Sequence, residues 1–154
     1  MSDDDRWLNA AEQDTWRAYL ASYGHLIRAL DQQLQRDSGI SHTDYALLTR
    51  LSAHGSATMN ELADMLDHSQ SRTSHAVARL ERRGLVARAA DAADRRMVHV
   101  QLTDAGRAVQ EAAAPGHVRC VREHLFDAVT PEQVAVLRDV CAAMLERLGR
   151  AAPT

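Results

Sequence analysis

The chain has 154 residues, 45% of them hydrophobic and 25% charged, with a formal net charge of −3. That length and composition suit one packed domain, and the absence of any run of about 18 apolar residues excludes a membrane-spanning helix. The negative sum excludes a uniformly basic nucleic-acid binder, and two cysteines, Cys120 and Cys141, exclude a disulfide framework.

The start, Met1-Ser2-Asp3-Asp4-Asp5-Arg6, is acidic and has no apolar stretch. It does not read as a secretory signal, and the expected location is the cytoplasm. Residues 12–36 predict a long amphipathic helix. Trp16, Tyr19, Leu20, Tyr23, Leu26, Ile27, Leu30 and Leu34 recur at spacings of three and four, and Gly39 supplies a stop. A second helix is expected over 43–53, capped by Thr43 or Ser41, with Gly55-Ser56 as a turn.

Residues 58–66 predict a short helix, with Thr58 and Glu61 at capping-box spacing. Asp67-His68-Ser69 interrupts it. The next helix runs from about Gln70 to Arg83, with Ser69 as N-cap and Gly84 at the position where a left-handed residue ends a helix. Leu85-Val86-Ala87-Arg88 and the alternating Val98-His99-Val100-Gln101-Leu102 then read as two arms of a hairpin, with a polar loop from Ala89 to Arg96 between them.

Thr103 can cap a helix over 104–127, in which Pro115-Gly116 is expected to force a kink or break. Thr130-Pro131-Glu132-Gln133 combines an N-cap, a proline at the first helical position and a capping-box glutamine. It opens a last helix with Val134, Leu137, Val140, Cys141, Met144, Leu145 and Leu148 on one side. The first and last two helices are strongly apolar yet flank a small central unit. Their stripes can pack within one subunit or against a second copy; the reading taken is a homodimer.

Charge is unevenly spread. Residues 69–96 hold Arg72, Arg79, Arg82, Arg83, Arg88, Arg95 and Arg96 against Glu81, Asp91 and Asp94. A basic segment on an acidic chain suits a localised phosphate-contact surface, although a salt-bridged, solvated helix face has the same composition. The order short helix, tight turn, second helix, glycine, two-stranded ribbon is that of a winged helix-turn-helix. The fold class expected is therefore mainly α with a small β-hairpin wing, with helices at both ends for dimerisation.

In that architecture the second helix enters the major groove and its first turn meets base edges. Ser69, Gln70, Ser71, Arg72, Ser74 and His75 stand there, with Arg79 further along. Free N–H groups at the helix start can hold a phosphate. Asp94, Arg95 and Arg96 lie at the ribbon tip, where guanidinium groups suit the negative potential of a narrow minor groove. For Arg79, Arg82 and Arg83, phosphate contact and ion pairing with Glu81 and its neighbours both remain open.

The chain resembles the MarR (multiple antibiotic resistance regulator) family. Leu62-Ala63, Ser69-Gln70-Ser71-Arg72-Thr73 and Val77-Ala78-Arg79-Leu80-Glu81-Arg82-Arg83-Gly84-Leu85-Val86 look like its helix-turn-helix. Asp91, Asp94-Arg95-Arg96 and Val98-x-Val100-x-Leu102-Thr103-x-x-Gly106 resemble its wing. The likeness is densest over residues 43–106. Two departures stand out: Asp67-His68 replaces the usual glycine and apolar residue of the turn, where the geometry is then expected to change, and Ala93 replaces a further wing arginine.

The resemblance implies a homodimer built from 12–36 and 104–149, and a winged helix-turn-helix lobe over 43–103. It implies double-stranded DNA as partner, read as a pseudo-palindromic operator, and repression relieved by a small aromatic ligand held between dimer base and lobe. No cofactor and no membrane contact are expected.

Other residues carry alternatives. Trp16, Tyr19, Tyr23 and Tyr45 are candidates for the ligand pocket or for the core. His117, Cys120 and His124 share one helix face and have zinc-ligand chemistry, with His42 or Cys141 as a fourth donor; an ordinary interface face is the reading preferred. Cys120 and Cys141 read as small core residues. No P-loop, GxGxxG or GxSxG occurs, so an enzyme is not expected. Two alternatives remain: a winged-helix adaptor that binds protein rather than DNA, and a zinc-responsive regulator.

Overall fold

The computed structural model describes residues 7–90 and 98–150. The wing-tip candidates Asp91, Asp94, Arg95 and Arg96, with Ala93 between them, lie outside the described residues. Among the described residues the chain forms α1 (Ala10–Ser38), α2 (His42–His54), β1 (Ser56–Thr58), α3 (Met59–Leu66), α4 (Gln70–Arg82), β2 (Val86–Ala90), β3 (Val98–Leu102), α5 (Asp104–His124), a 3-10 turn (Phe126–Ala128) and α6 (Pro131–Arg147). None of these helices is long and apolar enough to cross a membrane.

Local chemistry accounts for the helix boundaries. Asn9, Ser41, Thr58 and Thr130 each accept from the backbone of the third helical residue, whose side chain returns a bond to the cap, closing capping boxes on α1, α2, α3 and α6. Ser69 and Thr103 cap α4 and α5 in the same sense. Gly39 ends α1 at φ +63° and Gly84 follows α4 at φ +70°, both left-handed positions that glycine takes without a Cβ clash.

The sheet has order β1-β3-β2, antiparallel throughout. Val86 faces Leu102 and Arg88 faces Val100 across the wing ribbon, while Ala57 faces Val100 on the other side. Strand β1 is not among the expected elements; only Gly55-Ser56 reads as a turn there, with Thr58 as the next helix's cap. Its three residues pair fully with β3 and bury Ala57, too short a stretch for alternation to register.

Leu34, Ile40, Leu47, Leu48, Leu62, Val77, Leu80 and Val100 are wholly buried and join the C-terminal half of α1 to α2, α3, α4 and the sheet. Each such aliphatic side chain contributes about 1.5–3 kcal/mol. Helix α5 closes this core where Gly106 packs on strand-end backbone. A Cβ there would sit 1.9 Å from the Leu85 carbonyl oxygen.

Two expectations for the C-terminal helices are corrected. Of the kink or break expected at Pro115, the break does not occur: α5 is one helix from Asp104 to His124. Proline removes one donor and crowds one carbonyl, but α5 packs on α1, and Gly116 brings its backbone against the Gln33 side chain. The helix ends at His124 instead of 127, and a 3-10 turn completes the corner.

Helix α6 buries none of its residues, and Val136, Leu137, Val140, Met144 and Leu148 are exposed. The N-terminal half of α1 is similar, with Trp16, Tyr19, Leu20 and Tyr23 exposed while Leu30 and Leu34 of the same stripe are buried. Cys141 is exposed on α6, not a core residue as read from sequence; Cys120 is buried.

Candidate nucleic-acid interface

Helices α3 and α4 pack at an angle set by the three-residue break between them. Asp67, the first residue of that break, takes a left-handed conformation at φ 50°. A short polar side chain tolerates this region better than other non-glycine residues. Asp67 thus ends α3 in a left-handed turn without a glycine. The Asp67 carboxylate also pairs with the guanidinium of Arg150, beyond the end of α6.

Helix α4 divides cleanly into two faces. Thr73, Ala76, Val77 and Leu80 are buried against the core. Ser69, Gln70, Ser71, Arg72, Ser74 and His75 are all exposed. The helix start is closed by the Ser69 hydroxyl accepting from the Arg72 N–H, and by the Ser69 carbonyl accepting from the Thr73 N–H. The N–H groups of Gln70 and Ser71 have no intrahelical acceptor, as at any helix start, and with the helix dipole they form a local positive end.

The arginines of the basic segment separate by partner. Arg79 is committed within the chain: its Nε lies 3.2 Å from both Asp44 carboxylate oxygens, and its Nη2 donates to Oδ1 as well. That carboxylate pushes the Arg79 pKa further up. Of the two alternatives open for Arg79, the geometry favours ion pairing, with Asp44 and not Glu81 as the partner. Arg83 donates to the Gly39 carbonyl at 2.9 Å, and Arg88 pairs with Glu81 at 3.3 Å. No hydrogen bond or ion pair holds the Arg72 or Arg82 side chain among the described residues.

A residue that sequence reasoning missed joins this face. Asn60, in the first turn of α3, accepts a hydrogen bond from the Gln70 side-chain amide at 2.7 Å. Spacing gives no hint of it, because the two residues are ten apart and meet only through the α3–α4 turn.

A groove of about 360 Å³ opens beside the helix-turn-helix, lined by Tyr23 and Ile27 of α1, His42, Thr43 and Ala46 of α2, and Leu66, Asp67, His68 and Arg72. Of the four aromatic candidates only Tyr23 lines it. Trp16 and Tyr19 stack on each other at 6.1 Å further along α1, and Tyr45 is a core residue whose ring lies 4.6 Å from that of His117. Burial lowers the pKa of His42, His68 and His117; Arg72 adds to the effect on His68, while Asp31 opposes it on His42.

The zinc candidates are not gathered into a site. His117 sits on Tyr45, whereas the Cys120 sulfur lies 3.8 Å from His124 Nδ1, which also lies 3.0 Å from the Cys120 carbonyl. Among the described residues no three His, Cys, Asp or Glu side chains converge on a common metal position.

Comparison with known proteins places this geometry among transcription regulators. A family model described as "MarR family" matches residues 38–97. Sco3205 of Streptomyces coelicolor, a MarR family transcriptional regulator crystallised in complex with DNA, is 43% identical, covers 96% of this chain and 93% of its own, and superposes with a TM-score of 0.89. AbsC, a MarR family regulator of the same organism, is 34% identical, with 93% and 97% coverage and a TM-score of 0.87. The transcriptional repressor MdtR of Bacillus subtilis is 27% identical over 135 residues, 83% of this chain and 84% of its own length.

Proposed function

The chain belongs to the MarR family, and from that premise we propose that it is a homodimeric, sequence-specific DNA-binding transcription repressor acting on a pseudo-palindromic operator. The observation that carries this reading is the partition of α4, whose outward first turn holds Gln70, Ser71, Arg72, Ser74 and His75 and whose inward face is locked in the core. Ser69 fixes the helix start, and the open N–H groups beside it suit a backbone phosphate. Arg72 is the chief cation of the recognition helix. Asp94, Arg95 and Arg96 serve the wing in the adjoining minor groove.

Dimerisation rests on residues 12–36 and 104–149. The exposed apolar side chains of α6 and the first half of α1 form a surface that a second copy would cover. Residues 43–103 then form the lobe that a twofold axis would present to successive major grooves, about one DNA turn apart. The relatives are regulators rather than enzymes, and the chain is assigned the same role in the cytoplasm, where its DNA lies.

Repression is assigned to a small aromatic ligand's control. The groove beside Tyr23 and Ile27 has an apolar side for a ring and His42, His68 and Arg72 for polar substituents. It touches both the dimer-side helix α1 and the recognition residue Arg72, so a ligand there would favour one lobe position over another.

Gel shift against a random-sequence duplex pool, repeated at rising salt, tests the reading. Expected is retention of a subset of duplexes with affinity that falls steeply with ionic strength. Unaltered binding by both Arg72→Ala and the Arg95→Ala/Arg96→Ala double variant would remove the assigned residues. No retention at any salt would favour the protein-binding alternative.

A further inference from the structure

Gln70 is the first residue of α4 and is exposed on the face assigned to the major groove. A glutamine there has three free torsions and an amide that can present its oxygen or its nitrogen in either sense. In this chain one of its two N–H donors is already taken: Nε2 donates to Asn60 Oδ1 at 2.7 Å. Asn60 is itself held on the first turn of α3, between Thr58, which closes that helix's capping box, and Glu61. The Gln70 amide is thus oriented before any partner arrives.

We infer that Asn60 is a positioning residue for Gln70, and that the pair reads an adenine at one position of each operator half-site. This rests on the DNA-binding reading above. The chemistry follows from the donor count. A glutamine amide has two N–H donors and one acceptor oxygen. With one N–H given to Asn60, one N–H and the oxygen remain. Adenine offers N7 as acceptor and N6–H₂ as donor in the major groove, a pattern that this remaining pair matches in bidentate fashion. Guanine offers two acceptors there and leaves the glutamine oxygen facing a lone pair.

Asn60 acts by removing alternatives. A free glutamine can turn its amide to meet guanine with nitrogen or adenine with both groups, and it loses side-chain freedom on binding. The α3 contact settles both beforehand. Asn60 need not touch a base, so its loss should blunt discrimination rather than abolish binding.

The test is selection of bound duplexes from a random pool by the full-length protein and by Gln70→Ala, Asn60→Ala and Asn60→Asp. The wild type should enrich an inverted repeat with adenine at a symmetric position in each half. Gln70→Ala should lose that preference, with the other positions kept. Asn60→Ala should relax the same position at least several-fold. Asn60→Asp keeps an acceptor oxygen, so it should retain the adenine preference while its added negative charge lowers affinity for all sequences.

Thermal melting of each variant separates misfolding from lost reading; both residues are exposed, so melting should be unchanged. An unchanged motif with Gln70→Ala overturns the inference, as does an unchanged adenine preference with Asn60→Ala. Absence of any enriched motif with the wild type overturns the DNA-reading function itself, a distinguishable failure.

Discussion

Asp44 and Arg79 tie the second helix to the recognition helix through one carboxylate with two duties. Asp44 Oδ2 accepts the Ser41 N–H at 3.2 Å, closing the capping box of α2, while both of its oxygens receive the Arg79 guanidinium from α4. The Asp44 side chain is 3% exposed and that of Arg79 42%. The pair fixes the rotation of α4 about its own axis, and therefore which residues face outward.

Asp44→Ala removes the carboxylate half of the capping box and the pair with Arg79, and should destabilise the fold by about 1–3 kcal/mol. Arg79→Ala should cost about 1–2 kcal/mol, discounted because the guanidinium is partly in water and Asp44 keeps its bond to Ser41. Urea unfolding measures both. The salt slope of DNA binding should be unaltered by Arg79→Ala; a slope lowered by about one, with stability unchanged, would make Arg79 a phosphate contact instead.

Arg72→Ala should behave in the opposite way. Its side chain is exposed and has no partner within the described chain, so stability should change by less than about 0.5 kcal/mol. Operator affinity should fall by about 1–3 kcal/mol if the residue contacts a base. Fluorescence anisotropy with a labelled duplex, paired with urea unfolding, distinguishes the two arginines.

Gly106→Ala should destabilise the protein by about 1–3 kcal/mol although alanine is the better helix former. The added Cβ would stand 1.9 Å from the Leu85 carbonyl oxygen, a backbone atom that cannot rotate aside. The same carbonyl accepts the Thr103 N–H at 3.2 Å, so displacement disturbs the start of α5 and the foot of the wing together. Thermal unfolding checks it, and an unchanged or raised Tm would contradict the contact.

Acid should weaken the fold before the carboxylates titrate. His42, His68 and His117 have folded-state pKa values below the ordinary 6.5, chiefly because burial disfavours their cations. As pH falls through 6.5 the unfolded chain takes up protons that the folded chain refuses, so stability present above that pH is lost towards the folded values. Asp31 beside His42 and Asp67 beside His68 moderate the loss, whereas Arg72 reinforces it at His68. Urea midpoints measured in steps of about one pH unit, from about 7.5 to about 5.5, should decline. His117→Gln should flatten the decline, and a flat wild-type profile would contradict the burial argument.

Most of this fold was legible in the sequence because its boundaries are chemical. Thr58 with Glu61, Ser69, Gly84, Thr103 and Thr130-Pro131 each announced an element end, and the structure uses every one. What escaped notice depended on distant parts of the chain. Strand β1 exists through pairing with residues more than forty positions away, Asp44 meets Arg79 across thirty-five, and Asn60 meets Gln70 round a turn. Helix α5 continues past Pro115 because the segment after it packs on α1, a contact that the local sequence does not announce. Tyr45 could not be assigned to core or pocket until His117 was seen against it.

The proposed function requires two copies of the chain acting together on one duplex. Val140 is 50% exposed in the midst of the apolar face of α6, the face proposed to meet the second copy. Val140→Arg should weaken self-association at least tenfold, about 1.4 kcal/mol, and DNA binding with it. The most direct measurement is the mass of the wild-type complex on a selected duplex, by sedimentation or native mass spectrometry. Two chains per duplex are expected, with a dimer in the free protein as well. A single chain bound per duplex, from a monomeric free protein, would contradict the claim.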